Sequence, residues 1–316
     1  FFSNVYRYNT KNIAVNCKFR KNIGVFFGVA YGRKYRGGVF GKPYYLGGEG
    51  YAEKIYMSFV LQVAKTFEKI SMFLLSNNNE ITVAYQPCID EVSHEFYGLW
   101  KNSHSDIKDY YWQLIKKAYD YADDHLGAIL KKMKKNDVIF ITSDHGIYDV
   151  DKEFYINEFL CRKGYLKFAN DKIDYIKTLV YYHPCNSGAL YFNCDKSVQE
   201  TVLSELLELK IWNRKIIEEI IPTCEEKVFG DYFVIPADGI VIEAKRNEII
   251  YDDTRKTGCH MVNNQKKSMQ AILFSNFELK ISSDVNNTDI KDIILSALKK
   301  WIFGLLRMKI YFWIVF

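Results

Sequence analysis

Proline and glycine are scarce in this sequence, which contains 5 prolines and 18 glycines among 316 residues. A collagen-like or low-complexity chain is therefore excluded. Disorder is excluded as well, because 48% of the residues are apolar and only 26% are charged, so the chain can bury a large core. The length fits one enzyme-sized domain, and we predict a single domain over residues 1–300.

Paired cysteines are also absent. The chain has 7 cysteines, but no two of them form a C-x-x-C motif, which excludes a zinc ribbon and a thioredoxin-type dithiol. Scattered single cysteines are typical of free thiols in a reducing compartment, and no signal peptide is visible at the start. These two features favour a cytoplasmic location.

Acidic side chains are missing from residues 1–48, which carry 9 lysines and arginines. The other 268 residues carry 34 basic and 38 acidic side chains, so the net charge of +5 arises from the N-terminal end. A basic segment of this kind can bind phosphate or nucleic acid. No nucleic-acid motif accompanies it, so we predict a solvated basic surface and no nucleic-acid partner.

Apolar runs long enough to cross a bilayer do not occur either. The most apolar stretch, residues 301–316, is interrupted by Arg307 and Lys309, whereas a transmembrane helix needs about 20 apolar residues. We predict that residues 301–316 form a buried or irregular apolar tail outside the domain. Attachment of this tail to a membrane surface is the less favoured alternative.

Strand-like and helix-like patterns alternate along the chain. Short apolar runs predict strands at Ile13–Asn16, Ile23–Val29, Ile81–Gln86, Asp137–Thr142, Ala189–Asn193, Tyr232–Ile235 and Gln270–Phe274. Apolar residues at helical spacing predict helices near residues 52–70, 107–133 and 197–211, the last opening with a capping box formed by Ser197 and Glu200. The alternation predicts an α/β fold with a mostly parallel central sheet and helices on both faces.

Asp and His occur together at three places close to predicted strands. They are Asp90 and His94, then Asp144 and His145, then His260. A carboxylate and an imidazole at the end of a buried strand cost free energy unless a partner compensates them. A divalent metal ion is such a partner, because it binds carboxylate oxygens and neutral imidazole nitrogens. Since ligands bind beyond the carboxyl ends of parallel strands, we expect these side chains at one edge of the sheet.

Each group taken alone also fits a structural role. Asp144 and His145 are compatible with a turn, in which Gly146 lets the chain reverse direction. Asp90 and His94 are four residues apart and are compatible with a pair on one helix face. The three groups together favour a metal site over these alternatives.

The order of the motifs resembles the alkaline phosphatase superfamily, and within it the type I phosphodiesterase/nucleotide pyrophosphatase family. The resemblance extends from about Ile81 to Leu298, and more loosely over the first 80 residues. It rests on Tyr85, Pro87, Asp90 and His94 in one segment, on the run Ser143-Asp144-His145-Gly146, and on Gly258 with His260. Ser93 and Met261 depart from the pattern, because the family has glycine at both places.

The resemblance implies an alkaline-phosphatase-like fold and two divalent metal ions, zinc in the first place and manganese as the alternative. It assigns Asp90, His94 and His260 to one ion and Asp144 and His145 to the other. It further implies a phosphoric ester hydrolase that cleaves a phosphodiester or pyrophosphate bond in a small phosphate ester or nucleotide through a covalent phospho-Thr or phospho-Ser. We cannot assign this nucleophile and expect it upstream of residue 1, which would make the domain N-terminally incomplete and its turnover low.

Two alternatives stay open from the sequence. The chain could be a pseudoenzyme or fragment that retains metal and phosphate binding without turnover. It could also belong to another branch of the superfamily, such as a phosphomutase or a sulfatase, although the sulfatase motif C-x-P-x-R does not occur in it. The substrate-binding residues are left unassigned.

Overall fold

The computed structural model describes residues 13–15, 31–77, 79–170, 172–183, 188–223, 230–245, 247–254, 257–260, 266–278, 285–286, 288–303 and 309–315. The contacts divide the chain into two compact units. The first unit consists of Phe1–Gly146 and Gln270–Phe316, and the second consists of Ile147–Met269. The predicted strand Ile23–Val29 lies outside the described residues. The prediction of one domain over residues 1–300 stays a prediction.

The helices and strands are as follows in chain order. The helices are α1 (Tyr51–Ser76), α2 (Cys88–Asn102), α3 (Ser105–Leu130), α4 (Ile156–Arg162), α5 (Lys196–Leu207) and α6 (Ile290–Phe303). The strands are β1 (Ile13–Val15), β2 (Ile81–Gln86), β3 (Val138–Thr142), β4 (Tyr148–Asp149), β5 (Lys152–Tyr155), β6 (Phe168–Ala169), β7 (Lys172–Ile173), β8 (Val180–His183), β9 (Ala189–Phe192), β10 (Lys210–Ile211), β11 (Arg214–Lys215), β12 (Ile217–Pro222), β13 (Tyr232–Pro236), β14 (Ile240–Glu243), β15 (Tyr251–Asp253), β16 (Gly258–Cys259), β17 (Leu273–Ser275) and β18 (Ile310–Val315).

The first unit is built on a five-stranded sheet with the order β1-β2-β18-β3-β17. The strands β1, β2, β18 and β3 pair in parallel, and β17 pairs with β3 in the antiparallel direction. β2 and β3 are apolar throughout apart from threonine and glutamine, as expected for strands that are covered on both faces.

Helices cover both faces of this sheet. On one face, Ala84, Ile139 and Trp313 pack in a core with the apolar sides of α1, α2 and α3. On the other face, Val83 and Phe140 pack against α6. The division follows from the alternation of side chains along a strand, since neighbouring residues point to opposite faces.

β18 is the main difference from the sequence analysis. Residues 310–315, which were predicted to lie in an apolar tail, pair in parallel with β2 on one side and with β3 on the other. Six consecutive apolar residues rich in β-branched and aromatic side chains suit a central strand. The sequence analysis read the run as part of a longer tail, because a C-terminal run carries no signal of the strands it will join.

The second unit has several small sheets. β5 is paired in parallel with β14 and in the antiparallel direction with β15. The strands β12, β13, β9 and β8 form an antiparallel sheet, and β4 pairs with β16. The core of this unit includes Phe154, Leu160, Leu190, Val202 and Ile240, which lie on α4, α5 and these sheets.

The structure confirms a mixed α/β fold but does not make its sheets mostly parallel. Parallel pairing among the described strands is found in the main sheet of the first unit and between β5 and β14, and the remaining pairs are antiparallel. The predicted capping box is wrong, because the residue that caps α5 is Asp195 and it makes no side-chain capping bond. α5 also ends at Leu207, since residues 210 and 211 enter a β-hairpin instead.

Candidate metal centre

Asp90 and His94, here called the first Asp–His pair, lie on α2. This helix begins directly after β2 and Pro87, and Asp90 lies in its first turn, where a carboxylate interacts favourably with the helix dipole. Val92 and Phe96 are fully buried and hold the opposite side of the helix in the core. The first Asp–His pair therefore lies on the partly exposed side of a firmly anchored helix.

The spacing within the first Asp–His pair suits a shared metal ion. Asp90 Oδ1 lies 3.5 Å from His94 Nε2, and both residues belong to a group of side chains that could hold a metal ion. Two ligand atoms of a tetrahedral zinc ion lie about 3.4 Å apart, given metal–ligand bonds near 2 Å. Asp90 Oδ1 is buried and accepts no hydrogen bond from any described residue. A buried carboxylate oxygen without a donor is the kind of atom that a cation compensates.

Asp144 and His145, here called the second Asp–His pair, follow β3 directly. Asp144 Oδ1 lies 3.2 Å from His145 Nε2, again close to the separation of two ligands on one zinc ion. His145 Nδ1 lies 2.9 Å from the carbonyl oxygen of Gly146, which can only accept, so Nδ1 carries the proton. Nε2 is then left with its lone pair, the form in which an imidazole binds a metal ion.

Gly146 contributes its carbonyl oxygen to this pair, because that oxygen accepts from His145 Nδ1 and fixes the tautomer of the ring. The expectation of a sharp glycine turn at this position stays a prediction.

The backbone of Ile272 fixes the segment that precedes the second Asp–His pair. The sequence analysis did not predict this contact. Thr142 Oγ1 and the Ser143 amide both donate to the Ile272 carbonyl oxygen, at 3.0 and 3.2 Å. The Ile272 amide donates in turn to Ser143 Oγ at 3.0 Å. These bonds continue the antiparallel pairing of β3 with β17 and fix where the strand ends. Because the partners are about 130 residues apart in sequence, no local pattern could have indicated them.

The two Asp–His pairs follow strands that end at the same edge of one sheet. β18 aligns Val315 with Gln86 of β2 and Ile314 with Thr142 of β3, so the two strand ends differ by one residue in register. β2 and β3 lie on either side of β18 and are therefore about 10 Å apart, twice the spacing of neighbouring strands. Side chains that project from both ends can approach one another at this edge.

His260 belongs to the second unit, where it directly follows β16. Cys259 pairs with Tyr148 of β4 and is buried together with Val150 and Val241. The side chain of His260 is half-buried.

Cys88 lies two residues before Asp90 and is not a nucleophile. Its side chain is fully buried, and its Sγ donates a weak hydrogen bond to the Ala118 carbonyl oxygen at 3.4 Å. Burial raises the pKa of the thiol to about 12, so the reactive thiolate is not populated near neutral pH.

His125 supports the end of β2 from inside the core. It lies on α3, is 1% exposed, and its Nδ1 is 3.1 Å from the side-chain nitrogen of Gln86, the last residue of β2. The Gln86 amide donates, so Nδ1 accepts and the ring is neutral. Burial lowers the pKa of His125 to about 4. We take this residue as structural.

We predict that His125 contributes a fall of about 2 kcal/mol in the free energy of unfolding between pH 7 and pH 5 in metal-free protein. The unfolded chain binds a proton on His125 near pH 6.5, whereas the folded chain resists protonation until about pH 4, so acid favours the unfolded state in this window. Urea titrations at several pH values measure the effect. In the variant His125→Gln the free energy of unfolding should depend less on pH than in the unchanged chain. In His104→Gln, at the exposed start of α3, the dependence should be the same as in the unchanged chain. Identical profiles for His125→Gln and the unchanged chain would contradict the prediction.

A mixed α/β chain with acidic and imidazole side chains beyond the ends of two strands of one sheet has the features of a metal-dependent hydrolase. The family model described as Type I phosphodiesterase / nucleotide pyrophosphatase matches residues 22–262. The match covers about three quarters of the 316 residues. The chain therefore belongs to the type I phosphodiesterase/nucleotide pyrophosphatase family, a family of the alkaline phosphatase superfamily. No curated protein and no solved structure matches the chain.

Membership supports a hydrolase of the phosphodiesterase or pyrophosphatase type in general. The family is generally metal-dependent and acts on small phosphate esters and nucleotides. Among the helices within the described ranges, none combines the length and the apolar character needed to cross a membrane.

Proposed function

We propose that the chain binds two divalent metal ions, zinc in preference to manganese, and through them a phosphate ester or nucleotide that is hydrolysed at phosphorus. Asp90, His94 and His260 are assigned to one ion. Asp144 and His145 are assigned to the other. The observation that carries the proposal is the pair of Asp–His groups with metal-ligand spacing beyond β2 and β3 of one sheet, in a chain of this family.

The assignment of His260 rests on the family and on donor chemistry. A second imidazole would complete a set of two nitrogens and one carboxylate, which is common for zinc that keeps an open position for substrate. Cys259, the residue before His260, pairs with Tyr148, which follows His145 by three residues in the sequence.

When bound, two divalent ions polarise the phosphoryl oxygens and neutralise charge that develops during displacement at phosphorus. The chain supplies the carboxylates of Asp90 and Asp144 to offset the charge of the ions. The bond from His145 Nδ1 to the Gly146 carbonyl keeps the imidazole in one tautomer and one orientation. The first Asp–His pair lies on α2, and the second follows the end of β3, which is hydrogen-bonded to Ile272. Both pairs are therefore positioned by rigid elements.

The reaction we propose has two displacements. A Thr or Ser hydroxyl oxygen bonds to phosphorus as the bond to the leaving-group oxygen breaks, and the hydroxyl proton is passed on to that leaving group or to solvent. Water then cleaves the phosphorylated side chain and regenerates the hydroxyl. We assign no nucleophile in this sequence. Thr142 and Ser143 precede Asp144, but both hydroxyl groups are bound to the backbone of Ile272.

Calorimetry with inorganic phosphate tests the binding part of this proposal. We expect phosphate to bind when zinc is present and not to bind after chelation. Asp144→Ala should remove most of the binding, whereas Asp109→Ala, an exposed acid on α3, should retain it. Phosphate binding with the same affinity in the presence and absence of zinc would contradict the proposal.

A nitrophenyl phosphodiester assay with added zinc tests the catalytic part. We expect turnover close to the background rate, because the ion ligands alone supply no nucleophile. Strong turnover that Asp144→Ala abolishes would support hydrolysis. It would contradict the expectation that the ion ligands act without a nucleophile in this chain. Zinc-dependent phosphate binding without turnover is also what the second candidate function predicts, a binding module of this family that does not catalyse.

A further inference from the structure

Five lysines lie at the edge of the main sheet where its parallel strands begin. Four of them belong to the segment that joins α3 to β3, and the fifth directly precedes β18. They are here called the basic edge: Lys131, Lys132, Lys134, Lys135 and Lys309. The first four side chains are exposed, and that of Lys309 is half-buried. The basic edge therefore concentrates positive charge on one part of the surface of the first unit.

A buried carboxylate fixes the backbone of the basic edge. Asp137 is 4% exposed. The Lys134 amide donates to its Oδ2 at 2.8 Å, and the Lys309 amide donates to its Oδ1 at 3.0 Å. The Val138 amide donates in turn to the Lys309 carbonyl oxygen at 2.9 Å. These bonds join the segment between α3 and β3 to the start of β18, so an ordered backbone carries the five lysines.

Nearby acids do not neutralise the basic edge. Over the described ranges, none of its five lysines forms an ion pair with a carboxylate. Asp137 is buried and bound to backbone amides. Glu80 directly precedes β2, and Glu278 follows β17 by three residues, so two further acids face five lysines at this edge. The edge keeps a net positive charge.

The helix dipole explains only part of this charge. Lysines near the C-terminus of a helix are favourable, which accounts for Lys131 and Lys132 directly after α3. The effect falls off within one turn and does not account for Lys134 and Lys135. Exposed like charges close together in sequence repel one another, so their grouping favours a partner of opposite charge.

Two large apolar side chains are exposed at the same edge. Phe73, in the last turn of α1, is 66% exposed, and Leu130, the last residue of α3, is 47% exposed. Lys309 Nζ donates to the Asn77 carbonyl oxygen at 3.4 Å, which places the end of α1 beside the basic edge. Lysines around exposed apolar side chains suit a lipid surface, which takes up the apolar groups and attracts the ammonium groups. A nucleic acid would leave the leucine in water.

We propose that the basic edge, together with Phe73 and Leu130, docks the chain on a membrane surface that carries anionic lipid headgroups. The lysines supply the electrostatic attraction, and the two apolar side chains enter the boundary between headgroups and acyl chains. The two Asp–His pairs follow the opposite ends of β2 and β3, about 20 Å away along a six-residue strand. Docking through the basic edge leaves them on the side that faces water. The inference does not depend on the proposed function.

Sedimentation with lipid vesicles tests the docking. We expect the full chain to bind vesicles of phosphatidylcholine and phosphatidylserine, mixed about 3:1, at least about tenfold more tightly than vesicles of phosphatidylcholine alone. Binding should weaken as salt is added, because salt screens exposed charges. Absence of binding to the anionic vesicles at low salt would contradict the proposal.

A quadruple variant tests whether the basic edge carries the binding. Changing Lys131, Lys132, Lys134 and Lys135 together to Gln should weaken binding to anionic vesicles at least about a hundredfold, since one lysine near such a surface contributes about fivefold. The matched control removes the same charge from exposed lysines of the second unit: Lys167→Gln, Lys172→Gln, Lys177→Gln and Lys196→Gln. This control should bind like the unchanged chain. An equal loss in both quadruple variants would show that net charge alone is responsible and would contradict the proposal.

A double variant separates a lipid surface from a nucleic acid. Phe73→Gln with Leu130→Gln keeps side chains of good helix propensity and should weaken vesicle binding about tenfold, because less apolar area leaves water. Urea denaturation checks that each variant is folded. Unchanged vesicle binding by the folded double variant would contradict the part assigned to the apolar side chains. Tighter binding of the unchanged chain to duplex RNA or DNA than to anionic vesicles would contradict the membrane and identify a nucleic acid as the partner.

Discussion

Replacing Trp313 by alanine lowers the free energy of unfolding by about 3–5 kcal/mol, the range for removing a large buried aromatic side chain. Trp313 lies in β18 at the centre of the main sheet and is 4% exposed. It packs in the core that α1, α2 and α3 form on one face, and its ring meets His125 edge-on at 6.1 Å. The surrounding backbone is a sheet, which cannot collapse into the space that the ring leaves.

Urea denaturation measures this loss, and the chain provides a matched control. Trp212 is 77% exposed in the second unit, so Trp212→Ala should cost less than about 1 kcal/mol. A comparable loss for the two variants would contradict the placement of β18 between β2 and β3. A large loss for Trp313 alone supports it.

Replacing Asp90 by asparagine weakens zinc binding at the first Asp–His pair by about a hundredfold or more, since changes in outer-shell partners alone cost 10- to 100-fold. The amide keeps the size of the side chain and removes the negative charge. Calorimetric titration with zinc measures the affinity. Asp109→Asn, which removes an exposed charge on α3, should leave the affinity unchanged.

The stability of the metal-free Asp90→Asn variant separates a ligand from a structural carboxylate. Asp90 Oδ1 is buried and accepts no hydrogen bond from the described residues, so removing its charge relieves a desolvation cost. This relief offsets the lost interaction of the carboxylate with the dipole of α2, so we expect the variant to unfold at about the same urea concentration as the unchanged chain. A clear loss of stability together with unchanged zinc affinity would show that Asp90 is structural and would contradict the assignment.

Local patterns in the sequence predicted the elements of the first unit well. The strand Ile81–Gln86 was predicted with its observed bounds, and the helices near residues 52–70 and 107–133 correspond to α1 and α3. Long apolar repeats and buried strands carry their signal within a few residues. The strand predicted at Gln270–Phe274 corresponds to β17, which is found at Leu273–Ser275. Ile272, just before it, bonds to Thr142 and Ser143 at the end of β3.

Long-range pairing could not be predicted from the sequence. β18 joins β2 and β3 across more than 150 residues, and no pattern in residues 301–316 indicates its neighbours. The antiparallel sheets of the second unit also depart from the simple strand–helix alternation, because tight hairpins such as β10–β11 are too short to show a period.

The candidate site likewise has groups that the sequence could predict and groups that it could not. Asp90, His94, Asp144 and His145 were predicted from sequence as candidate ligands, because a carboxylate and an imidazole after a buried strand are chemically unusual. The carbonyl of Gly146 and the backbone of Ile272 were not found, because backbone groups have no sequence signature.

Anomalous diffraction at the zinc absorption edge, from crystals grown with zinc, tests the central claim most directly. The account predicts two peaks roughly 4 Å apart, one about 2 Å from Asp90 Oδ1 and His94 Nε2 and the other at the same distance from Asp144 Oδ1 and His145 Nε2. Zinc peaks only at other positions, or unoccupied Asp–His pairs at saturating zinc, would contradict it.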